Sequence, residues 1–219
     1  MGFNHDSFRD SQREYIFKCI ARFCHLNGLR RGYYLEFGCH RGRTLRLAWD
    51  HSKEMFDWTY VAFDSFEGMP EITEIDHNPM WKKGSSATSE AELIAILESG
   101  GMPRDRLITV PGFYDQSLTS ETAERLLPQK AAVIYIDCDL YISTVPVLTF
   151  IRAFLQTGTI IIFDDWFCLY GDPERGQRRA WAEFRRDHPH LRFVDFISTG
   201  EAQGFIHIGE QEPAVGKNR

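Results

Sequence analysis

No stretch of this sequence is apolar for long enough to cross a membrane. Its first residues, Met1-Gly2-Phe3-Asn4-His5-Asp6, lack the apolar core of a secretion signal. Asp6 also stands where a myristoylation pattern needs Ser or Thr. Cysteine is scarce: Cys19, Cys24, Cys39, Cys138 and Cys168 are odd in number and none stands two residues from another. That argues against a disulfide framework or a zinc site and reads as small buried side chains in a reducing compartment. A cytoplasmic protein with no membrane partner is the expectation. There is no basic excess either, since 25 Lys and Arg face 31 Asp and Glu for a net charge of -6. A nucleic-acid partner, which needs a basic face, is therefore not expected. Linkers, internal repeats and low-complexity segments are missing too, so residues 1–219 read as a single domain.

What the sequence does have is an alternation of apolar strands and helical segments. Ile16, Cys19, Ile20, Phe23 and Leu26 recur at helical spacing, which predicts a helix over 9–27 closed by Gly28. Apolar runs over 33–37, 60–63, 107–110, 131–136 and 159–163 predict five strands. Further helices are expected from Thr44, from the capping box Ser89-Glu90-Ala91-Glu92 to Gly100-Gly101, and over 120–127, 144–155 and 173–188. Two last runs, 191–197 and 204–208, are separated only by a turn and should pair antiparallel. Together these describe an α/β fold: a Rossmann-like doubly wound sheet of parallel strands plus a C-terminal antiparallel β-hairpin. Residues 71–87 are polar, contain Pro79 and Gly84, and form a loop long enough to act as a lid. Residues 213–219 read as a frayed tail.

Two of the predicted strands run straight into acids. One is followed by Asp137-Cys138-Asp139-Leu140-Tyr141, the other by Asp164-Asp165. Ligands of open α/β sheets bind at the carboxyl ends of strands, so four carboxylates meet in one crevice. Four like charges repel there unless protons or a cation neutralise them. Oxygen ligands from carboxylates, completed by water or substrate, suit Mg2+ rather than a soft metal. A divalent metal site is the working reading.

The turn after the first strand, Glu36-Phe37-Gly38-Cys39-His40-Arg41-Gly42, lacks the GxGxxG spacing of dinucleotide folds. An acid two residues before the first glycine repels a pyrophosphate and suits an ammonium group. Asp64 ends the second strand, where an acid can hold both ribose hydroxyls. An amine and a ribose together describe S-adenosylmethionine better than NAD or ATP. A plain tight turn with a surface Asp is the bland alternative. The set Glu36, Gly38, Gly42 and Asp64 lifts the cofactor reading above it.

On these residues the sequence resembles the class I S-adenosylmethionine methyltransferases, and within them the macrocin-type sugar O-methyltransferase family. The matching segments are Tyr34-Leu35-Glu36-Phe37-Gly38, Phe63-Asp64-Ser65-Phe66-Glu67-Gly68-Met69-Pro70, Gly112-Phe113-Tyr114 with Ser117-Leu118, Asp137 to Thr144, and Asp164-Asp165-Trp166. The resemblance implies the class I methyltransferase fold, with S-adenosylmethionine and Mg2+ as cofactors. It implies Asp137, Asp164 and Asp165 as metal ligands and Asp139 as the general base beside Asp137. The candidate cofactor-binding set is Glu36, Gly38, Arg41, Gly42, Thr44, Asp64, Ser65, Gly112 and Phe113. The implied activity is Mg-dependent transfer of a methyl group to a hydroxyl of a sugar or glycosylated small molecule. The final third matches loosely, so the acceptor does not transfer with the family.

The chemistry agrees with this division of roles. The sulfonium is already an activated electrophile, so the protein must align an in-line displacement and deprotonate the acceptor. A sugar hydroxyl is too weak an acid for a carboxylate alone, whereas a metal beside it lowers its pKa. Asp139 has a structural alternative, as a cap of the following helix or a partner of Ser143 or Thr144. Asp165 has one too, behind the ligands rather than among them. Trp166, Phe167 and Tyr170 are candidates for a wall against a sugar ring, and Tyr141 for packing near the ligands. Arg175, Arg178, Arg179, Arg185 and Arg186 read more simply as a charged helix face than as an anion site. A catechol-like phenol is the rival acceptor. A non-catalytic cofactor-binding interaction domain is the rival from another class, disfavoured by the complete acid set. A homo-oligomer such as a dimer is compatible with either reading.

Overall fold

The computed structural model describes residues 5–211. Met1 to Asn4 and the expected tail at 213–219 lie outside the described residues. The chain opens with a long helix, α1 (His5–Leu26), followed by strand β1 (Arg31–Phe37), helix α2 (Arg43–Ser52) and strand β2 (Asp57–Asp64). Helix α3 (Glu90–Ser99), strand β3 (Leu107–Pro111) and the short helices α4 (Tyr114–Ser117) and α5 (Ser120–Leu126) come next. Then follow β4 (Ala131–Ile136), α6 (Tyr141–Ile151), β5 (Ile160–Phe163), α7 (Gly176–Asp187), β6 (Leu191–Ser198) and β7 (Gln203–Glu210). The sheet order is β3-β2-β1-β4-β5-β7-β6, with β3, β2, β1, β4 and β5 parallel and β7 and β6 antiparallel. This is the doubly wound sheet with a terminal hairpin that the alternation of elements predicts.

Side-chain alternation distributes the core between two layers. Tyr34 of β1, Tyr135 of β4 and Ile162 of β5 pack under Ile16, Phe17, Ile20 and Cys24 of α1 and Leu45 and Ala48 of α2. On the other face Leu35, Ile134 and Ile161 meet Val147, Leu148 and Ile151 of α6 and Trp181 and Phe184 of α7. Each such fully enclosed aliphatic side chain contributes about 2 kcal/mol of burial. The hairpin inserts with β7 against β5 and leaves β6 at the edge. Their burial explains this: Gly204 to His207 are buried in succession, whereas in β6 only Leu191 and Phe193 are buried and Arg192, Val194 and Asp195 are exposed.

Several boundaries differ from the sequence reading. Helix α6 starts at Tyr141 rather than Thr144 and tightens to a 3-10 turn at Arg152–Phe154, while α7 starts at Gly176 rather than Pro173. Helix α4 was not expected at all. The cysteines are all free, but only Cys24 and Cys39 are buried. Cys168 is exposed, because it falls in the irregular turn after Asp165 and not on a packed element.

Candidate active site

Strands β1, β4 and β5 lie side by side and end level with one another. The Asp137 N–H donates to Phe37 O at 2.8 Å and the Asp164 N–H to Ile136 O at 3.0 Å. Gly38 has φ +87°, and a Cβ there would stand 1.9 Å from Asp137 O, so only glycine lets the turn after β1 pass this close. The glycine turn and the acidic centre are thus one continuous edge.

Asp137 and Asp164 continue the alternation of Tyr135 and Ile162 and project toward the α1 face. One carboxylate oxygen each of Asp137, Asp164 and Asp165 lie within 4.8 Å of one another. Asp165 is held from α7: its N–H donates to Gln177 Oε1 at 3.1 Å, and Gln177 Nε2 donates to Ile136 O at 3.2 Å. Asp165 Oδ2 in turn accepts the Asp139 N–H at 3.1 Å. Asp139 is left-handed, with φ 57°, a conformation that costs a non-glycine residue about 1–3 kcal/mol. The first turn of α6 is capped by Asp76 from the long loop, which accepts the N–H groups of Tyr141 and Ile142 at 2.6 and 3.1 Å. Asp139 is therefore not that helix's cap.

Charge in this cluster is settled by two residues the sequence reading missed. Arg13 is 8% exposed and donates from Nη2 to Asp164 Oδ2 at 2.5 Å and Asp137 Oδ2 at 3.1 Å, and from Nε to Asp164 Oδ1 at 3.3 Å. Arg9, one helical turn earlier, reaches Asp164 Oδ2 at 3.3 Å and Glu201 at 2.9 Å. The Tyr135 hydroxyl also donates to Asp164. Burial pushes the Asp164 carboxyl up, but Arg13, Tyr135 and Arg9 reverse this and leave it below its ordinary value. Asp137 and Asp165 are instead driven well up, first by burial and then by their acidic neighbours. Burial and Asp137 push Asp139 up to about 7. Carboxylates outnumber the two guanidinium groups here, and Arg9 is shared with Glu201, so the remaining acids are neutralised by protons, as the raised Asp137, Asp139 and Asp165 show, or by an added cation. The donor set is all carboxylate and convergent, so it fits Mg2+ in kind, with Arg13 on two of its three members.

The cofactor candidates sit along the same edge. Glu36 is fully buried; it accepts the Tyr34 hydroxyl at 2.5 Å and the Thr44 hydroxyl at 2.6 Å, and burial raises it to about 8. Asp64 accepts the N–H groups of Cys39 at 2.7 Å and His40 at 3.1 Å on one oxygen and of Phe66 at 2.8 Å on the other. Ser65 donates to Gly68 O and accepts from the Glu67 N–H, which shapes the turn after β2. Gly112 donates to Asp64 O at 3.0 Å and has φ +121°, with Phe113 next to it. Gly42 precedes α2 with φ 67°, and Arg41 is exposed beside it. All nine therefore flank the ends of β1, β2 and β3.

The 71–87 loop joins the two halves. Asp76 anchors it to α6, Arg175 donates to His77 O at 2.9 Å, and His40 Nδ1 lies 2.8 Å from Ser86 O. Trp166 packs on Phe163 and Phe205 while Tyr170 is fully exposed, so the expected aromatic wall is divided. Tyr141 turns away from the acids toward Glu183 at 2.7 Å. Arg179 pairs with Glu183 and Arg186 with Asp187, as a charged helix face does.

The macrocin O-methyltransferase (TylF) family model matches residues 18–197. The chain belongs to that family. It is 31% identical over 168 residues to mycinamicin III 3''-O-methyltransferase of Micromonospora griseorubida, covering 72% of this chain and 61% of that protein. It is 32% identical over 109 residues to the 8-demethyl-8-(2,3-dimethoxy-alpha-L-rhamnosyl)-tetracenomycin-C 4'-O-methyltransferase of Streptomyces olivaceus, 47% of this chain and 40% of that one. The chain thus spans less than two thirds of either relative. The calicheamicin methyltransferase CalS11 shares the fold, with TM-score 0.70 at 21% identity over 93% of this chain and 80% of its own. Among the described residues no helix is long and apolar enough to cross a membrane.

The helical register carried a usable sign of the missed arginines. Arg9 and Arg13 lie one turn apart, and Arg13 heads the buried stripe of Ile16, Phe17 and Ile20. A charge in line with an apolar face marks a buried partner. Asp76 and Gln177 carried no such sign, being polar residues in polar surroundings.

Proposed function

We propose that this chain transfers a methyl group from S-adenosylmethionine to a hydroxyl of a sugar or glycosylated small molecule, with Mg2+ at the acidic centre. The observation that supports the reading is the packing of the Glu36–Gly42 turn against Asp137, which brings the candidate cofactor residues and the three convergent carboxylates to one edge. Asp64 and Gly112 would border the ribose. Glu36, relayed through the Thr44 hydroxyl, would answer the ammonium group. The uncapped start of α2 with Arg41 would meet the carboxylate.

Asp137, Asp164 and Asp165 would hold the ion, which supplies acidification and orientation of the acceptor hydroxyl when bound. Asp139 takes the proton as the acceptor oxygen bonds to the methyl carbon and the carbon–sulfur bond breaks, leaving S-adenosylhomocysteine. Its left-handed backbone is tied to Asp165 through its N–H, which keeps the residue beside the acidic centre. The loop at 71–87 would bound the acceptor from the β2 side. We assign the cell interior as the place of action.

The test is a panel of nucleotide sugars and glycosides with methyl-labelled S-adenosylmethionine, with catechols as the control class. Transfer to a sugar hydroxyl that stops on chelation and returns with Mg2+ is expected. Transfer indifferent to EDTA removes the metal role, and transfer confined to catechols removes the sugar.

A further inference from the structure

Three convergent carboxylates call for a cation, and the fold supplies one from its own first helix. Arg13 Nη2 stands between Asp137 Oδ2, at 3.1 Å, and Asp164 Oδ2, at 2.5 Å. A Mg2+ ion takes oxygens at about 2.0–2.1 Å, so an ion bridging these two Oδ2 atoms needs the place that the guanidinium nitrogen fills. Two cations cannot share it. Asp164 does not depend on Arg13 alone, since the Tyr135 hydroxyl and Arg9 remain on it. The segment carrying Arg13 has polar ties on either side of it: Arg9 pairs with Glu201, Asp10 pairs with Arg43, and Gln12 Oε1 accepts the Gly200 N–H at 2.8 Å.

Resting on the metal reading above, we propose that Arg13 is a resident competitor for the divalent ion. It bridges Asp137 and Asp164 in the ion-free protein and is displaced when the ion enters. Departure of Arg13 loosens the first turns of α1 and their hold on the 199–201 turn. Ion uptake and the docking of α1 are then opposed, and the ion's apparent affinity is lowered by the fraction of molecules in which the bridge is closed.

The experiment titrates Mn2+ against the full chain, reading free Mn2+ by electron paramagnetic resonance, for wild type, Arg13→Met and Arg9→Met. Amide exchange over residues 5–26 of the wild type is followed with and without Mg2+. We expect Arg13→Met to bind Mn2+ at least about tenfold more tightly, Arg9→Met to change it much less, and Mg2+ to speed exchange near Arg13. Equal or weaker binding by Arg13→Met overturns the proposal while the metal reading stands. Equal tightening by Arg9→Met overturns it too, because the effect is then one of net charge. Binding by none of the three removes both. Should Arg13→Met not fold, the wild-type exchange measurement decides: slowed or unchanged exchange on Mg2+ addition overturns displacement.

Discussion

Asp76 accepts the backbone N–H of Tyr141 at 2.6 Å across 65 residues of sequence and is itself fully buried. A loop residue thereby caps the helix that begins behind the acidic centre. Asp76→Ala leaves two helix N–H groups without an acceptor. It should cost about 1–2 kcal/mol, read as a lower denaturant midpoint. An unchanged midpoint means the helix start is satisfied without the loop.

Gly38 has no substitute at the junction of the two half-sites. In Gly38→Ala the new methyl meets Asp137 O and the backbone is held at positive φ. A loss of more than about 2 kcal/mol is expected, visible as poor soluble yield or early unfolding. Near-native stability would show that the edge is looser than the structure has it.

Glu36 makes a prediction about pH. Its carboxyl, raised by burial from an ordinary 4.5 to about 8, keeps a proton in the folded state that the unfolded chain has given up. The stability this group contributes is complete below pH 4.5 and is lost as pH rises to 8, a swing of the order of 5 kcal/mol. Glu36→Gln has no such proton to lose, so its advantage over wild type should grow from pH 5 to pH 8. Urea midpoints at the two pH values decide it, and a constant difference would show that Glu36 is ionised when folded.

Asp139→Asn should keep Mn2+ binding and cofactor binding while turnover falls by about 10²- to 10⁴-fold, the usual worth of a general base. Loss of Mn2+ instead makes Asp139 a ligand.

The sheet was legible because strands buried on both faces write continuous apolar runs, as Ala131 to Ile136 does. The four aspartates were legible because they follow those runs directly. The partners of those aspartates were not. Arg13 lies 151 residues from Asp164, and Gln177 lies 12 from Asp165 on a helix that reads as a charged face. Pattern along a chain reports which way a residue points, not what another element brings to it.

Arg9 and Arg13 meet Asp164 and Glu201, so the acidic centre is closed by the first helix and the last hairpin together. Such distant pairings carry a large loop-closure cost and form late in folding. During synthesis the five parallel strands are complete before Glu201 has been made. The nascent chain therefore passes through a stage in which Arg9 and Arg13, made first, already have Asp164 to meet while Glu201, the second carboxylate on Arg9, has yet to be made.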